Sequence, residues 1–221
     1  FIDRLVQIGG AIRPEPAEKY NPWQGCIYFD PESYKLLADR MLTEAGVQVL
    51  YHTSACGLDM EDDRVKRVYL HSKAGLQLLH AASFIDTTGD GDLLNWSGLP
   101  VDNSVVQAST TIIRMGGVDH SKAKSVIETT TTRGFQETAD EIYDRWGIRL
   151  PWGIGNMRSV NNGDHYFNVT RLLNVDALDN LSLSQAEIEG REQSHAIGEA
   201  LRTYHPGFES AYIVQTSTAL G

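Results

Sequence analysis

A glycine-rich stretch at residues 84–92, FIDTTGDGD, combines residue types that readily hold a polar ligand. Gly89 and Gly91 allow a ligand to approach the main chain without meeting a Cβ atom. N–H groups at the start of the helix-like stretch that follows favour anionic or polar groups. The carboxylates of Asp90 and Asp92 suit the hydroxyls of a ribose or ribityl chain better than a phosphate. An Asp/Gly surface turn has the same spacing, so these residues alone leave both interpretations open.

Before this stretch, the sequence predicts a helix followed by a strand. Asp30 is a suitable N-cap, Pro31 suits the first helical position, and Gly46 is a C-terminal stop. Apolar residues between them recur at helical spacing, which predicts a helix over 31–45. The β-branched run at 47–53 is strand-like, and a short connection between a helix and such a strand is typical of α/β proteins.

An antiparallel meander is predicted between this strand and the glycine-rich stretch. Asp62-Asp63 indicates a turn, and the alternating residues 64–71 and the run 76–82 are strand-like. One side of such a meander is expected to face solvent. Residues 84–86 then lead directly into the glycines.

The character of the sequence changes after Pro100, and a domain boundary near residue 103 is expected although no linker marks it. The capping box Ser184-Gln185-Ala186-Glu187 predicts the start of a helix that ends near residue 205. The other predicted elements in this half are strands at 107–115, 166–172 and 211–218 and a largely helical stretch at 121–146. The fold class is therefore α/β in the mixed α+β sense.

Composition excludes several classes of function. The formal charge of −10 argues against a general nucleic-acid binder and against docking on anionic lipid. No apolar run approaches the ~20 residues of a membrane helix, and no signal peptide is visible. Two cysteines, Cys26 and Cys56, favour a reducing, cytoplasmic setting. They have no spaced partners, and the histidines are scattered, so no metal site is predicted.

Three blocks of the sequence resemble the FAD-dependent oxidoreductase family, a branch of the glutathione-reductase-like flavoproteins. FIDTTGDGDLLNWSGLP at 84–100 is similar to the family pattern IDATGDGDLAxxAGxP. FDPESYKLLADRMLTEAGVQVLYHTS at 29–54 resembles the helix and strand before the family's meander. LSLSQAEIEGREQSHAIGEALRTYHPGFESAYIVQTSTALG at 181–221 is similar to its later helix, Pro-Gly turn and strand. The blocks occur in the family's order and are spread along the chain from residue 29 to residue 221.

The resemblance implies a partial Rossmann-like, FAD-binding region over 1–103 and a mixed-sheet substrate-binding region over 104–221. Residues 47–53 and 84–88 would be strands of a parallel sheet. The residues that the resemblance places at FAD are Ala55, near the adenine, and Thr88, Gly89, Asp90, Gly91 and Asp92.

One departure from the family concerns the phosphate-binding G-x-G-x-x-G motif, which is absent. Gly9-Gly10-Ala11 has only two glycines and no strand before it. The first residue is Phe1, and Gly221 directly follows a strand-like run, so we expect both ends to be cut from a longer chain. We therefore expect these residues alone to bind FAD weakly or not at all, and flavin that co-purifies with them at near-equal molarity would contradict this.

The implied activity is hydride transfer between a small organic substrate and flavin. Residues 162–168 are dense in polar and aromatic side chains, and the candidates for taking up a substrate proton are His165 and, second, Tyr166. Asn168 belongs to the same wall of a substrate site. Arg114, Arg158 and Arg171 are candidates for fixing a carboxylate by bidentate pairing, although a surface ion pair is the favoured explanation for each of them.

The sequence leaves other functions open. A non-catalytic binding or assembly module could keep this architecture without flavin. A sister flavoenzyme, such as a monooxygenase or a tRNA-modifying protein, is a third interpretation. The acidic chain argues against the tRNA branch, and no second dinucleotide fingerprint supports a monooxygenase. A small-molecule substrate is the expected partner, and the resemblance also allows a homo-oligomer.

Overall fold

The computed structural model describes residues 1–13, 27–100, 107–123, 133–149 and 155–221, with only the backbone of 133–138 and 155–158. The chain forms two compact units. Unit 1 comprises Phe1–Met41, Ala108–Val175 and Leu181–Gly221, and unit 2 comprises Leu42–Gln107 and Asp176–Asn180. The functional division near residue 103 stays a prediction.

Helices and short strands alternate irregularly along the described residues. In chain order they are α1 (Ile2–Gln7), β1 (Ala11–Ile12), β2 (Tyr28–Phe29), α2 (Pro31–Glu44), β3 (Ser54–Glu61), β4 (Arg64–Ser72), β5 (Gly75–Leu79), α3 (Asp92–Trp96), β6 (Ile112–Gly116), α4 (Arg133–Trp146), β7 (Gly155–Arg158), β8 (His165–Asn168), α5 (Asn180–Tyr204) and β9 (Tyr212–Thr216). None of these helices has the combination of length and apolar character that crossing a bilayer requires.

Unit 1 is built on a four-stranded antiparallel sheet in the order β7-β8-β6-β9. Alternate residues of its strands point into a core with the apolar stripe of α5, as the two-residue period of a strand requires. The buried side chains of this core are Ile113, Met115, Val118, Ala123, Ile142, Phe167, Val169, Ile197, Ala200, Leu201, Phe208 and Ala211.

The predicted helix over 31–45 is confirmed as α2, and its start follows from side-chain capping. A carboxylate oxygen of Asp30 accepts hydrogen bonds from the Ser33 N–H and hydroxyl, both at 2.8 Å. Leu37 of α2 is buried with Leu5 and Ala11 in a small separate cluster. Gly46, past the helix end, has a φ of 72°, as expected of a glycine at that position.

Unit 2 contains the predicted meander, the antiparallel sheet β3-β4-β5. Asp62 and Asp63 have φ values of 49° and 60°, so the β3–β4 hairpin has the two left-handed residues of a type I′ turn. The third strand ends at Leu79, earlier than the predicted residue 82, and all of its residues are exposed.

The predicted parallel sheet is not found in the described part of the chain, where every strand pairing is antiparallel. Residues 47–53 are wrong as a strand, because β3 begins only at Ser54, and residues 84–87 have no regular structure. A β-branched run becomes a strand only when a neighbour supplies its hydrogen bonds. No described residues pair with either segment.

Several boundaries in the second half also differ from the prediction. The strand expected at 107–115 is β6, which begins only at Ile112. The long helix α5 begins at Asn180, so the Ser184–Glu187 pattern lies inside it rather than at its start. The strand expected at 166–172 is β8, which ends at Asn168, with one further bridge between Leu172 and Ser109. The helix expected at 121–146 is α4 from Arg133, and residues 124–132 lie outside the described residues.

Candidate functional site

The glycine-rich loop in unit 2 is held in shape by the carboxylate of Asp86. Its Oδ1 accepts hydrogen bonds from the Thr88 N–H at 3.1 Å and the Thr88 hydroxyl at 2.8 Å, and its Oδ2 accepts one from the Leu94 N–H at 3.1 Å. The Thr88 hydroxyl accepts the Asp92 N–H at 3.0 Å. Hydrogen bonds, first that of the Thr88 N–H, lower the pKa of Asp86, so the carboxylate stays charged.

These bonds change the predicted role of the loop's N–H groups. The sequence predicts that N–H groups at the start of the short helix meet a ligand. The structure instead shows the N–H groups of Asp92 and Leu94 donating to Thr88 and Asp86. What the loop offers a ligand is therefore close approach of its main chain.

Gly89 and Gly91 provide that close approach. Their φ values are 104° and 73°, in the region that favours glycine. A Cβ atom added at Gly89 would meet no heavy atom within 4 Å and would project into open space. The loop lines a cleft of about 480 Å³, together with Asp86 and Leu94. The predicted cofactor residues Thr88, Gly89 and Gly91 thus share one cleft, with Asp90 exposed and Asp92 half-buried beside it.

Ala55, the other predicted cofactor residue, lies in β3 opposite Leu70 of β4. The helix α3, which follows the loop, packs against β3. The structure therefore brings the strand of Ala55 and the element after the glycines together within unit 2. The described residues contain no group of three or more His, Cys, Asp and Glu side chains that could hold a metal ion.

A second cluster of polar side chains lies on one face of the unit 1 sheet, which we call the open face. Arg114 of β6 and Tyr166 and Asn168 of β8 are on this face, because their strand neighbours Ile113 and Phe167 are fully buried in the core on the other side. Asn168 is exposed and Tyr166 is half-buried. Arg114 and Tyr166 are opposite each other in the ladder, and the guanidinium carbon lies 5.8 Å from the centre of the Tyr166 ring.

Arg114 is engaged by a carboxylate of its own unit. Its Nε donates to Asp164 Oδ2 at 3.1 Å, and Nη2 donates to the same oxygen. The hydrogen bond to Asp164 raises the pKa of Arg114. The side chains of Arg114 and Asp164 are 24% and 16% exposed, so water screens this ion pair less than a surface pair.

Asp30 adds a second carboxylate to the open-face cluster. Its Oδ1 accepts a hydrogen bond from Asn161 Nδ2 at 3.3 Å while its other oxygen caps α2. Burial acts to raise the pKa of Asp30, but the hydrogen bonds from Ser33 and Asn161 outweigh it and lower the pKa. Asp30 is thus a charged member of the cluster as well as a helix cap.

Tyr166 is kept as a neutral phenol by its surroundings. Burial raises the pKa of Tyr166; Arg114 acts against this rise, and Asp164 and Asp30 add to it. The phenol can therefore donate a hydrogen bond at neutral pH, whereas removal of its proton is unfavourable.

His165 lies on the opposite face of the sheet from Tyr166. It is fully buried, with its ring 4.8 Å from that of Phe167 and 5.7 Å from that of His120. Neighbouring residues of a strand point to opposite faces, so the structure does not bring the two predicted catalytic side chains together. The position of His165 is that of a core residue.

The three predicted substrate arginines do not form one group either. Arg171 lines a separate cleft of about 1440 Å³ beside α4 and α5, and its N–H donates to Gln193 Oε1 at 2.9 Å. Arg158 is opposite His165 in the β7–β8 ladder, and its side chain lies outside the described residues. Arg114 is the predicted arginine that the structure places with Tyr166.

Sequence reasoning missed three members of the open-face cluster. The sequence predicts Asp30 only as a helix cap, and it does not single out Asn161 or Asp164 as site residues. Asp164 lies in the polar segment 162–168, and this density was the one signal that could have pointed to it. Asp30 is 131 residues from Asn161 along the chain, so the local sequence around either residue does not predict their hydrogen bond.

Comparison with known proteins first defines the class of fold. A solved structure described as a geranylgeranyl bacteriochlorophyll reductase-like protein from Thermoplasma acidophilum superimposes with a TM-score of 0.57 and 13% identity. The alignment covers 94% of this chain and 45% of that one, so the chain spans less than half the length of this relative. At this identity the likeness shows the fold alone. No curated protein matches the sequence.

The family follows from the sequence itself. A sequence model of the family described as FAD dependent oxidoreductase matches residues 1–221. The chain belongs to the FAD dependent oxidoreductase family, and FAD is the cofactor that this membership implies.

The residues of unit 2 fit such a cofactor. The loop at 88–92 has two glycines of positive φ that line the cleft, and a backbone shape fixed by Asp86. A flat ring or a sugar chain can therefore lie directly against its main chain. The exposed carboxylate of Asp90 can accept hydrogen bonds from hydroxyls of the same ligand.

Proposed function

We propose that this chain is part of an FAD-dependent oxidoreductase that transfers a hydride between a small organic substrate and the flavin. The observation that carries the proposal is the cleft at Thr88, Gly89 and Gly91, whose main chain is open to a ligand and whose shape is fixed by Asp86. Family membership supports FAD as that ligand. When bound, FAD supplies the two-electron redox chemistry.

The protein's own part is to hold the cofactor and to orient the substrate. The loop 88–92 and the strand of Ala55 would hold FAD. The open face, with Arg114, Tyr166 and Asn168, would bind the substrate. The neutral phenol of Tyr166 would donate a hydrogen bond to a substrate oxygen and so fix the position of the reacting carbon.

Two of the residues predicted from the sequence are less favoured as substrate contacts in this proposal. His165 stays a candidate for proton uptake, but it lies in the core, whereas Tyr166 is half-buried on the other face of the sheet. Arg171 stays a candidate for a carboxylate, but it faces the cleft beside α5 and does not share the open face with Arg114. The relative's description as reductase-like is in keeping with redox chemistry on an organic molecule.

A pair of glycine variants tests the cofactor site. Gly89 and Gly75 both have a positive φ, and an added Cβ atom at either would meet no heavy atom within 4 Å. Gly89→Ala and Gly75→Ala therefore impose similar backbone strain of about 1 kcal/mol. We expect Gly89→Ala to lower the flavin content of the purified full-length protein severalfold, measured as visible absorbance per protein, and Gly75→Ala to leave it unchanged. Equal flavin content in the two variants would contradict the proposed cofactor site at Gly89.

The redox activity needs a separate experiment. The flavin of the full-length protein should be bleached by at least one member of a panel of alcohols, aldehydes, amines and acids under anaerobic conditions. Tyr166→Phe should slow that bleaching by roughly tenfold, the usual scale for loss of one positioning hydrogen bond. Tyr143→Phe, which removes a hydroxyl beside Arg149 instead, is the matched control. A flavin-loaded protein that no substrate bleaches would support the binding-module alternative.

A further inference from the structure

The side chains of Thr88 and Asp86 connect the two ends of the glycine-rich loop. The Thr88 hydroxyl donates to Asp86 Oδ1 at 2.8 Å and accepts the Asp92 N–H at 3.0 Å, across the two glycines. Asp86 also accepts the Thr88 N–H at 3.1 Å and, through its other oxygen, the Leu94 N–H at 3.1 Å. The two side chains thus tie the beginning of the loop to its end and to the first turn of α3.

The direction of each of these hydrogen bonds follows from the chemistry of its groups. A backbone N–H can only donate, and an ionised carboxylate can only accept. Hydrogen bonds, first that of the Thr88 N–H, lower the pKa of Asp86, so this carboxylate is ionised at neutral pH. The proton between the two side chains therefore belongs to the Thr88 hydroxyl. Because a hydroxyl carries one proton, Thr88 has none left to donate to a phosphate or carbonyl oxygen of a ligand.

The glycines between these hydrogen bonds need such support. Glycine loses more conformational freedom on ordering than any other residue, and Gly89 and Gly91 are ordered with φ values of 104° and 73°. Gly91 is the N-cap of α3 and has no side chain to cap it. Thr88 and Asp86 take over this task from a distance, by accepting N–H groups of Asp92 and Leu94. A loop that already has its binding shape does not lose affinity to ordering when a ligand arrives.

We propose that Thr88 and Asp86 are positioning residues of the cofactor site, which set the shape of the loop before FAD binds. The Thr88 side chain acts through the loop and not by donating a hydrogen bond to the cofactor. This inference deepens the proposed function and rests on the cleft at Gly89 being the place where FAD binds. It changes the role of Thr88, which the family resemblance places at FAD and which lines the same cleft.

Amide hydrogen exchange in the flavin-free, full-length protein tests the positioning role. Thr88→Val removes the hydroxyl and keeps the branched shape, whereas Thr88→Ser keeps the hydroxyl. Thr88→Val should speed the exchange of the Asp92 N–H about threefold to tenfold, the scale of one lost hydrogen bond, and Thr88→Ser should retain most of the protection. Thr203→Val removes an exposed hydroxyl that donates to the Glu199 carbonyl oxygen in α5, and it should leave this exchange unchanged. A side chain that acts only by contacting FAD cannot alter exchange while FAD is absent.

Titration of the same proteins with FAD measures the consequence for binding. The dissociation constant of FAD should rise about threefold to tenfold in Thr88→Val and less in Thr88→Ser. Asp86→Asn replaces one acceptor oxygen with a donor, so it should raise the constant at least as much. In the double variant the increase should be smaller than the product of the two single increases, because the two side chains share a hydrogen bond. An increase equal to that product would contradict the coupling of Thr88 to Asp86.

Two further results would overturn the inference. One is an unchanged exchange of the Asp92 N–H in Thr88→Val. The other is an unchanged dissociation constant of FAD in Thr88→Val while Gly89→Ala raises it, because the loop would then bind FAD without help from the hydroxyl. If Gly89→Ala also leaves flavin binding unchanged, the proposed cofactor site is wrong. The exchange measurement, made without flavin, still decides whether Thr88 and Asp86 shape the loop.

Discussion

The two units of the molecule differ in how much of their structure is buried. The sheet of unit 1 is packed on α5, and its inward side chains, such as Ile113, Phe167 and Leu201, are fully buried. In the described residues of unit 2, Val68 is the one buried side chain, although β3, β4 and β5 are paired along most of their length. Hydrogen bonding is thus similar in kind in both units, whereas removal of apolar surface from water is concentrated in unit 1.

This contrast indicates where the stability of the described chain resides. A backbone hydrogen bond exchanged with water contributes modestly, while burial of a large apolar side chain contributes about 1.5–3 kcal/mol. Three strands without a buried face are marginal. Leu76, Leu78 and Ile85 of unit 2 are more than half exposed, so their apolar surface adds little. We therefore expect substitutions of apolar residues to be severe in unit 1 and mild in unit 2.

The largest expected effect is at Phe167. This side chain is fully buried, with its ring 4.8 Å from that of His165 and 5.7 Å from that of Phe208. Phe167→Ala should lower the free energy of unfolding by about 3–5 kcal/mol, because it removes apolar contacts and leaves a cavity. Leu78→Ala, at a side chain 51% exposed, should change it by less than about 0.5 kcal/mol. Urea denaturation of both variants measures the contrast, and equal losses would contradict the proposed difference between the units.

A smaller effect of another kind is expected from two glycines. A Cβ at Gly207 would lie 2.6 Å from the Asp119 carbonyl oxygen and 2.7 Å from the Ala123 nitrogen, both backbone atoms, whereas at Gly75 it would meet nothing within 4 Å. Both residues have a positive φ. Gly207→Ala should therefore cost about 2–4 kcal/mol and Gly75→Ala about 1 kcal/mol. If thermal melts show the same loss for both, unit 1 is less tightly packed at this turn than the distances indicate.

Parts of the fold with complete local signals could be predicted from the sequence. Asp30, Pro31 and Gly46 delimit α2 to within a residue, and Asp62-Asp63 marks the hairpin turn. The prediction of a strand at 47–53 was wrong because a strand depends on a distant partner, and the local pattern does not contain that partner. The predicted start of α5 was also wrong. The Ser184–Glu187 pattern is compatible with a helix interior, and the helix begins at Asn180, before this pattern.

The candidate site was predictable only in part for the same physical reason. The glycine-rich loop is one continuous segment, so its residues could be named together. The open-face cluster is assembled from the residue before α2, from β6 and β8, and from the loop before β8. The hydrogen bonds between these segments join residues 50 or more positions apart. The alternation of His165 and Tyr166 was readable as a two-residue period. Packing against α5 decides which of these two side chains points into the core. That packing cannot be read from the sequence of the strand.

The smallest predicted effect is a pH dependence that belongs to unit 1. His205, at the end of α5, is only 8% exposed, and burial lowers its pKa below the ordinary value because the charged imidazolium loses its hydration. The unfolded chain then binds a proton more readily than the folded one. The stability that this residue contributes is complete above the unfolded pKa of about 6.5 and is lost as the pH falls through that value towards the folded pKa.

The free energy of unfolding should therefore decline between pH 7.5 and pH 5.5, a window that lies above the range where unfolded carboxylates titrate. In His205→Asn the decline should be shallower, whatever the absolute stability of the variant. Denaturation series at several pH values would measure the slope of unfolding free energy against pH for both proteins. Identical slopes would show that His205 does not contribute to the pH dependence. The contrast between the units would then be one of apolar packing alone.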